Sequence, residues 1–221
     1  MVGLREQNKA RRREAILDAT LQLLSEHHPS EITTSQIAAL ADVSSATVFN
    51  LVGTREELLT ALVGRVIESL LTDLTELEKR TDGDPIDAAR LIVDASVAAF
   101  TAESTAYRRV VSEIAFRQDV DGHAGFDPAR LQEAAMREAQ KRNIIDARFD
   151  AAGLGKQIYA SYSAAMLRWG IRKIDDVGFL VMARHGLLSV LAATATDAYR
   201  DSFRDELIEL STRLAHLSQP K

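Results

Sequence analysis

The chain has no cysteine among its 221 residues. Disulfide frameworks, thiolate zinc sites, iron–sulfur ligation and cysteine nucleophiles are therefore excluded. Proline and glycine are scarce, 4 and 11, against 33 alanines. Few helix breakers and many strong helix formers predict an all-α protein. No apolar run reaches the roughly 18 residues of a membrane span. The charged N-terminus has no apolar signal-peptide segment, so a soluble cytoplasmic chain without membrane contact is expected. Catalytic signatures are missing too. The five histidines (His27, His28, His123, His185, His216) are scattered, with no His-Glu-x-x-His or Glu-x-x-His spacing. There is no Gly-x-Ser-x-Gly elbow. Gly153-Leu154-Gly155-Lys156 lacks the spacing, the following Ser or Thr and the preceding strand of a phosphate loop. His185, on an apolar helix, reads as a core or interface residue. No catalytic residue, metal or cofactor is expected.

What is present is uneven. The net charge is −5, yet the first 13 residues hold Arg5, Lys9, Arg11, Arg12 and Arg13 against Glu6 alone. Such a segment is either a solvated tail or a phosphate-contacting arm. With 46% hydrophobic residues the chain can bury one large core, or a small domain fused to a larger one.

Apolar periodicity predicts a helix from about Lys9 to His28, stopped by Pro29. Thr33 and Gln36 read as a capping box for a short helix from Thr34 to about Ala41. Asp42-Val43-Ser44 breaks it, and a second short helix runs from about Ser45 to Leu51. Thr54 and Glu57 form another capping box before a long helix, Arg55 to Arg80. That helix has two apolar rows: Leu58, Leu62, Val66, Leu70, Leu74 and Leu77 in one, Leu59, Val63, Ile67 and Leu71 in the other. It is covered on more than one side. Further helices are predicted at about 86–102, 104–119, 128–142, 151–171, 176–196 and 201–217.

Two short helices joined by a tight turn fit a helix-turn-helix, and by spacing alone also an ordinary α-hairpin. Ile37, Ala38, Val43, Val48 and Leu51 would face inward. Ser44, Ser45, Ala46, Thr47, Phe49 and Asn50 are left on the outer face, where short polar groups and methyls suit a major groove.

Residues 11–63 resemble the N-terminal domain of the TetR family of transcriptional regulators. Four blocks carry the resemblance: Arg13–Ala19, Ile32–Ala38, Val43–Phe49 and Gly53–Leu59. It covers about a quarter of the chain. The resemblance implies DNA contacts from Thr34, Ser35, Ser45, Ala46, Thr47, Phe49 and Asn50, and a phosphate contact from Arg55, where the family usually has Lys. Ser44 and the basic Arg11, Arg12 and Arg13 complete the expected DNA-binding set. Asp42 stands where the family usually has Gly, Phe49 where Tyr is common, Leu51 where His or Tyr is common and Val52 where Phe is. Asp is among the least costly residues in a left-handed turn. The other three changes remove polar backbone contacts and thin the aromatic packing.

The resemblance divides the chain into a DNA-binding domain, 1–53, and a ligand-binding and dimerisation domain, 54–221. Phe100, Tyr107, Val111, Phe116, Met136, Tyr159, Tyr162, Met166 and Trp169 are the candidate ligand contacts, with core filling as the competing reading. The helices 151–171 and 176–196 are expected to pair across a two-fold axis through Phe179, Met182, Gly186, Leu187 and Val190, with burial inside one subunit competing. The expected function is a homodimeric repressor released from a palindromic duplex-DNA operator by an apolar or amphipathic small-molecule effector. A small all-α enzyme and a helical adaptor remain the alternatives. Neither explains a basic segment just ahead of a recognition-helix pattern.

Overall fold

The computed structural model describes residues 3–80, 83–115 and 127–217. Among them it contains ten α-helices: α1 (Leu4–Glu26), α2 (Thr34–Leu40), α3 (Ser45–Val52), α4 (Arg55–Arg80), α5 (Pro85–Ala102), α6 (Ser104–Ala115), α7 (Ala129–Lys141), α8 (Ala151–Gly170), α9 (Asp176–Thr194) and α10 (Asp197–Leu217). The all-α expectation holds. A 3₁₀ turn, Pro29–Glu31, separates α1 from α2.

α1 begins at Leu4 rather than near Lys9. Residues 4–13 contain no glycine or proline, so the basic segment extends the helix instead of trailing as an arm. Ile16, Leu17, Leu21 and Leu24 form its buried stripe. Thr20 is buried among them without penalty, because its hydroxyl donates to the Ile16 carbonyl at 2.7 Å.

Three side-chain caps fix the small domain. Thr33 N–H donates to Gln36 Oε1 at 2.8 Å while Gln36 N–H donates to Thr33 Oγ1 at 3.3 Å. Thr47 N–H donates to Ser44 Oγ at 3.1 Å and opens α3. Thr54 and Glu57 exchange the same reciprocal pair, 2.6 and 3.3 Å, at the start of α4. Between α2 and α3, Asp42 adopts φ +52°, the left-handed conformation anticipated for it. Gly53, φ +92°, ends α3, and any Cβ there would collide with the Glu57 carboxylate. Ile37, Ala38 and Val48 are buried where α2 and α3 meet α1. Val43 and Leu51 are only partly buried against that core.

α4 is shared by two parts of the core. Leu58, Leu59 and Leu62 are buried at its N-terminal end, the first two beside Ile37 and Val48; Val66 and Leu70 are buried further along, facing α5 and α8. The remaining helices pack as α7 on α8, α8 on α9 and α9 on α10, with α5 laid across α4, α7 and α9. Close crossings use glycine. A Cβ at Gly155 would strike the backbone of α7, and one at Gly170 would strike Val111 on α6.

α10 starts at Asp197, four residues before the expected 201, because Thr196 N–H donates to the Ile144 carbonyl and anchors the turn there. α9 has the length and hydropathy to cross a membrane, which the run-length reading above passed over. Its Phe179, Leu187 and Leu191 are instead buried inside the subunit, and bidentate bonds from its Arg184 to Asp94 on α5 (2.7 Å each) fix it there.

The left-handed turn gives a direct stability test. Asp42→Gly is expected to keep the fold, whereas Asp42→Val should cost about 1–2 kcal/mol, because a β-branched residue is strained at that φ. Urea denaturation of both variants measures the difference; equal stability would contradict the strain argument.

Candidate functional site

The outer face of α2 and α3 is laid out much as the residue pattern implied. Thr34, Ser35, Ser44, Ser45, Ala46, Asn50 and Arg55 are exposed, as are Arg11 and Arg12 on α1. Phe49 is 62% exposed, a large apolar ring held in solvent beside polar groups. Two expected contacts are already engaged within the chain. Ser44 spends its hydroxyl on the α3 cap, where it also bonds Thr47 Oγ1 at 2.8 Å, and Thr47 is half-buried. Arg13 is half-buried and lies 3.5 Å from Glu14. No Lys or Arg occurs from Thr33 to Gly53. Positive charge near this face therefore comes from α1 and from Arg55, one residue beyond the Thr54 cap. The Thr54 backbone N–H and then its hydroxyl hold the Glu57 carboxyl below its ordinary pKa, so the box stays ionised and closed.

The larger domain holds a cavity of about 70 Å³ between α4, α5, α7 and α8. Val63, Val66, Ile67 and Leu70 of α4 form one wall; Ile92, Val93, Ser96 and Phe100 of α5, Pro128, Leu131 and Gln132 near α7, and Ile158, Tyr159, Tyr162 and Met166 of α8 form the others. Four of the expected ligand contacts, Phe100, Tyr159, Tyr162 and Met166, are brought together here. The other expected contacts are placed elsewhere. Val111 sits at the α6–α8 crossing against Gly170. Met136 is fully buried in α7. Tyr107 packs edge-on to Phe100 at 5.2 Å, with Arg65 beside its hydroxyl. Phe116 lies outside the described residues.

Trp169 also leaves the cavity, although it continues the α8 face at i+3. Its ring stacks on Phe179 at 5.2 Å and lies beneath the Arg108 guanidinium at 4.7 Å. Its Nε1–H donates to Asp176 Oδ1 at 2.6 Å, an acceptor that also receives Arg108 Nη2 (2.7 Å) and Ser104 Oγ (2.9 Å). Arg108 Nη1 donates further to the carbonyls of Trp169 (2.7 Å) and Ile174 (3.1 Å). Burial opposes the ionised Asp176, but the three donors outweigh it and hold its carboxyl below the ordinary value.

Residues outside the sequence-derived set tie the two parts together. Arg65 of α4 donates to Asp18 of α1 at 2.6 Å. Arg109 of α6 donates to the carbonyls of Leu24 (2.5 Å) and His27 (2.7 Å), closing the C-terminal end of α1. The residues expected at a dimer interface divide between the subunit's own core and its surface. Phe179, Leu187 and Val190 are buried in the subunit's own core, because α9 is enclosed by α5, α8 and α10. Met182 and Gly186 are partly exposed, although Gly186 is already pressed on Ser161 of α8. Outward apolar residues on these helices include Leu167 (41%) and Ile171 (42%) at the end of α8, Val177 (54%) on α9, and Tyr199 (42%), Ile208 (63%) and Leu217 (42%) on α10.

Residues 16–62 match the model of the bacterial regulatory proteins of the tetR family. The N-terminal domain is similar to that of the TetR family. Solved structures extend the likeness over the whole fold. Thermus thermophilus FadR, a TetR-family transcriptional repressor in complex with lauroyl-CoA, superposes with a TM-score of 0.64 at 19% identity, covering 81% of this chain and 93% of FadR. SmeT, the repressor of the Stenotrophomonas maltophilia multidrug efflux pump SmeDEF, gives 0.63 at 23% identity, covering 84% and 91%. RolR in complex with resorcinol gives 0.55 at 17%, covering 90% and 94%. At these identities the likeness speaks for the fold. A search of the curated proteins finds no match to the chain.

The Asp176 site predicts an acid dependence. Its pKa is lower folded than unfolded, so its stabilisation is complete above the ordinary Asp value, about 4, and is lost as pH falls through the folded value. Trp169 emission should shift to the red as the pH falls below about 4, and Asp176→Asn should abolish that dependence. The same acid dependence in the unaltered chain and in Asp176→Asn would contradict this assignment.

Proposed function

We propose that the chain is a ligand-responsive, homodimeric DNA-binding regulator, acting as a repressor on a palindromic operator. One observation supports it above others. The cavity and the small N-terminal domain share α4, whose Leu58 and Leu59 pack beneath α2 and α3 while Val63, Val66, Ile67 and Leu70 wall the cavity. The cavity is smaller than the roughly 300–1,000 Å³ of a drug-sized site. A ligand of that size enters only by displacing a wall, and displacement of α4 tilts the reading head. Ligand and DNA then oppose each other by one coupling free energy, typically ~1–3 kcal/mol. The lauroyl-CoA and resorcinol complexes of the structural relatives agree with a small-molecule effector. Catalysis has no part in this reading.

In this reading residues 1–53 form the reading domain and 54–221 the effector and dimerisation domain. The recognition face is Thr34, Ser35, Ser45, Ala46, Phe49 and Asn50. Arg11, Arg12 and Arg55 supply phosphate contacts, Arg55 where a cation adds to the free N–H groups of a helix start. The subunits pair through outward apolar residues of α8 and α10, the helices on either side of α9, rather than through the enclosed residues of α9. Two reading heads on a two-fold axis meet half-sites about 34–36 Å apart, or a multiple of that.

Duplexes selected from a random library provide the operator for the test. Arg55→Ala, and Arg11 and Arg12→Ala together, should weaken binding to every sequence and flatten its salt dependence. Asn50→Ala should instead change preference at one base position in each half-site. The reverse pattern would contradict the assigned roles, and selection of no symmetric site would contradict the reading. Separately, Ile208→Glu with Leu167→Glu should shift sedimentation from dimer to monomer; an unchanged dimer would place the interface elsewhere.

A further inference from the structure

The polar residues of the cavity lining are Gln132 in one place and Ser96 with Tyr162 and the neighbouring Tyr159 in another. Gln132, on α7, is 3% exposed and lines it. Its Nε2 donates to the Ala89 carbonyl of α5 at 3.1 Å. That bond fixes which way the amide points, because a carbonyl can only accept. Gln132 Oε1 is then left buried with no hydrogen-bond partner among the described residues. A buried acceptor without a donor is costly, and native structures hold few.

The second place lies about two turns, roughly 10 Å, further along α5. Ser96 Oγ and Tyr162 Oη are 2.5 Å apart, both residues buried and both lining the cavity. Two hydroxyls sharing one bond use one of their two protons for each other, and the second proton remains available. Burial raises the Tyr162 pKa, with the Ser96 bond lowering it less, so the phenol stays neutral. No Asp, Glu, Lys, Arg or His lines the cavity among the described residues. A charged ligand group would be desolvated there without a counter-ion, at a large cost.

We infer that the cavity selects uncharged ligands with an apolar body and a hydroxyl hydrogen-bond donor, an alcohol or phenol, whose O–H donates to Gln132 Oε1. The Ser96–Tyr162 pair gives a second polar stop along the same wall. The inference rests on the cavity being the effector site. It goes further by naming the group that is recognised and by ruling out the carboxylate and the donor-free analogue of the same shape.

The test uses three probes with one apolar body: 4-propylphenol, its methyl ether, and 4-propylbenzoate. Binding to the full chain is measured by calorimetry. The phenol should bind about tenfold more tightly than the ether, the size of effect expected when a buried acceptor is left unmade. The benzoate should bind more weakly than either. Gln132→Met keeps the side-chain length and removes the acceptor; it should bring phenol and ether to within about twofold. Ser96→Ala should leave the phenol-over-ether preference in place while lowering the affinity of both. Each variant is checked for an unchanged melting profile, and Gln132→Leu substitutes for Gln132→Met if that variant misfolds. Equal binding of phenol and ether by the unaltered chain, or a preference that survives loss of the Gln132 acceptor, would overturn the inference while leaving the cavity as an effector site. Failure of all three probes to bind would overturn the cavity reading as well.

Discussion

Almost everything in this structure hangs on the burial of α4 on two sides at once. A 26-residue helix is about 39 Å long, enough to reach from the three-helix head into the larger bundle. Leu58, Leu59 and Leu62 commit its first turns to the head, and Val66 and Leu70 commit later turns to the bundle. Packed apolar interiors resist deformation. Under the proposed function, a change at the cavity wall is passed along α4 as a rigid shift. The caps at Thr54 and Gly53 place the hinge at its start, where the chain turns sharply and Glu57 closes the first turn.

α6 is the second connection, and three consecutive residues divide the work. Tyr107 reaches Arg65 on α4, Arg108 enters the Trp169–Asp176 site, and Arg109 closes the end of α1. The head is therefore held at two points, by the apolar wall of α4 and by the polar grip of α6 on α1. Two points of attachment define an axis about which the head can tilt. The aromatic series Tyr107, Phe100, Trp169, Phe179 and Tyr162 runs from α6 to the cavity wall without a break larger than 6.3 Å between ring centroids. This gives the cavity contact with both attachments.

The head was legible in the sequence because its signals are local. The capping residues Thr33, Ser44 and Thr54, the apolar spacing of Ile37, Ala38 and Val48, and the left-handed Asp42 all act within a few residues. The cavity was only half legible. Tyr159, Tyr162 and Met166 follow from helical spacing on α8, but Trp169 obeys the same spacing and lies outside. What moved it was a distant partner, Asp176 across the next turn. The α4 wall was within reach, since its two apolar rows already required cover on both sides. Ser96 and Gln132 offered a fainter signal, a polar residue on an otherwise apolar helix face. Arg65 and Arg109 offered none, because an arginine on a helix surface looks the same in sequence whether or not a carbonyl or carboxylate awaits it. The dimer expectation took in Phe179, Leu187 and Val190, which are buried in their own subunit, for a related reason. An apolar helix wrapped by its own subunit and one wrapped by a second subunit share one pattern.

The central claim is that filling the cavity moves the reading head, and it can be examined without any ligand. Ile92 is buried on the α5 wall opposite α4, and Ile92→Trp places an indole in the space a ligand would take. The measurement is the affinity of this variant for the selected operator by fluorescence anisotropy, beside its melting profile. A folded Ile92→Trp protein with about 5–150-fold weaker operator binding is the expected result. A folded variant that binds the operator as tightly as the unaltered chain would contradict the coupling.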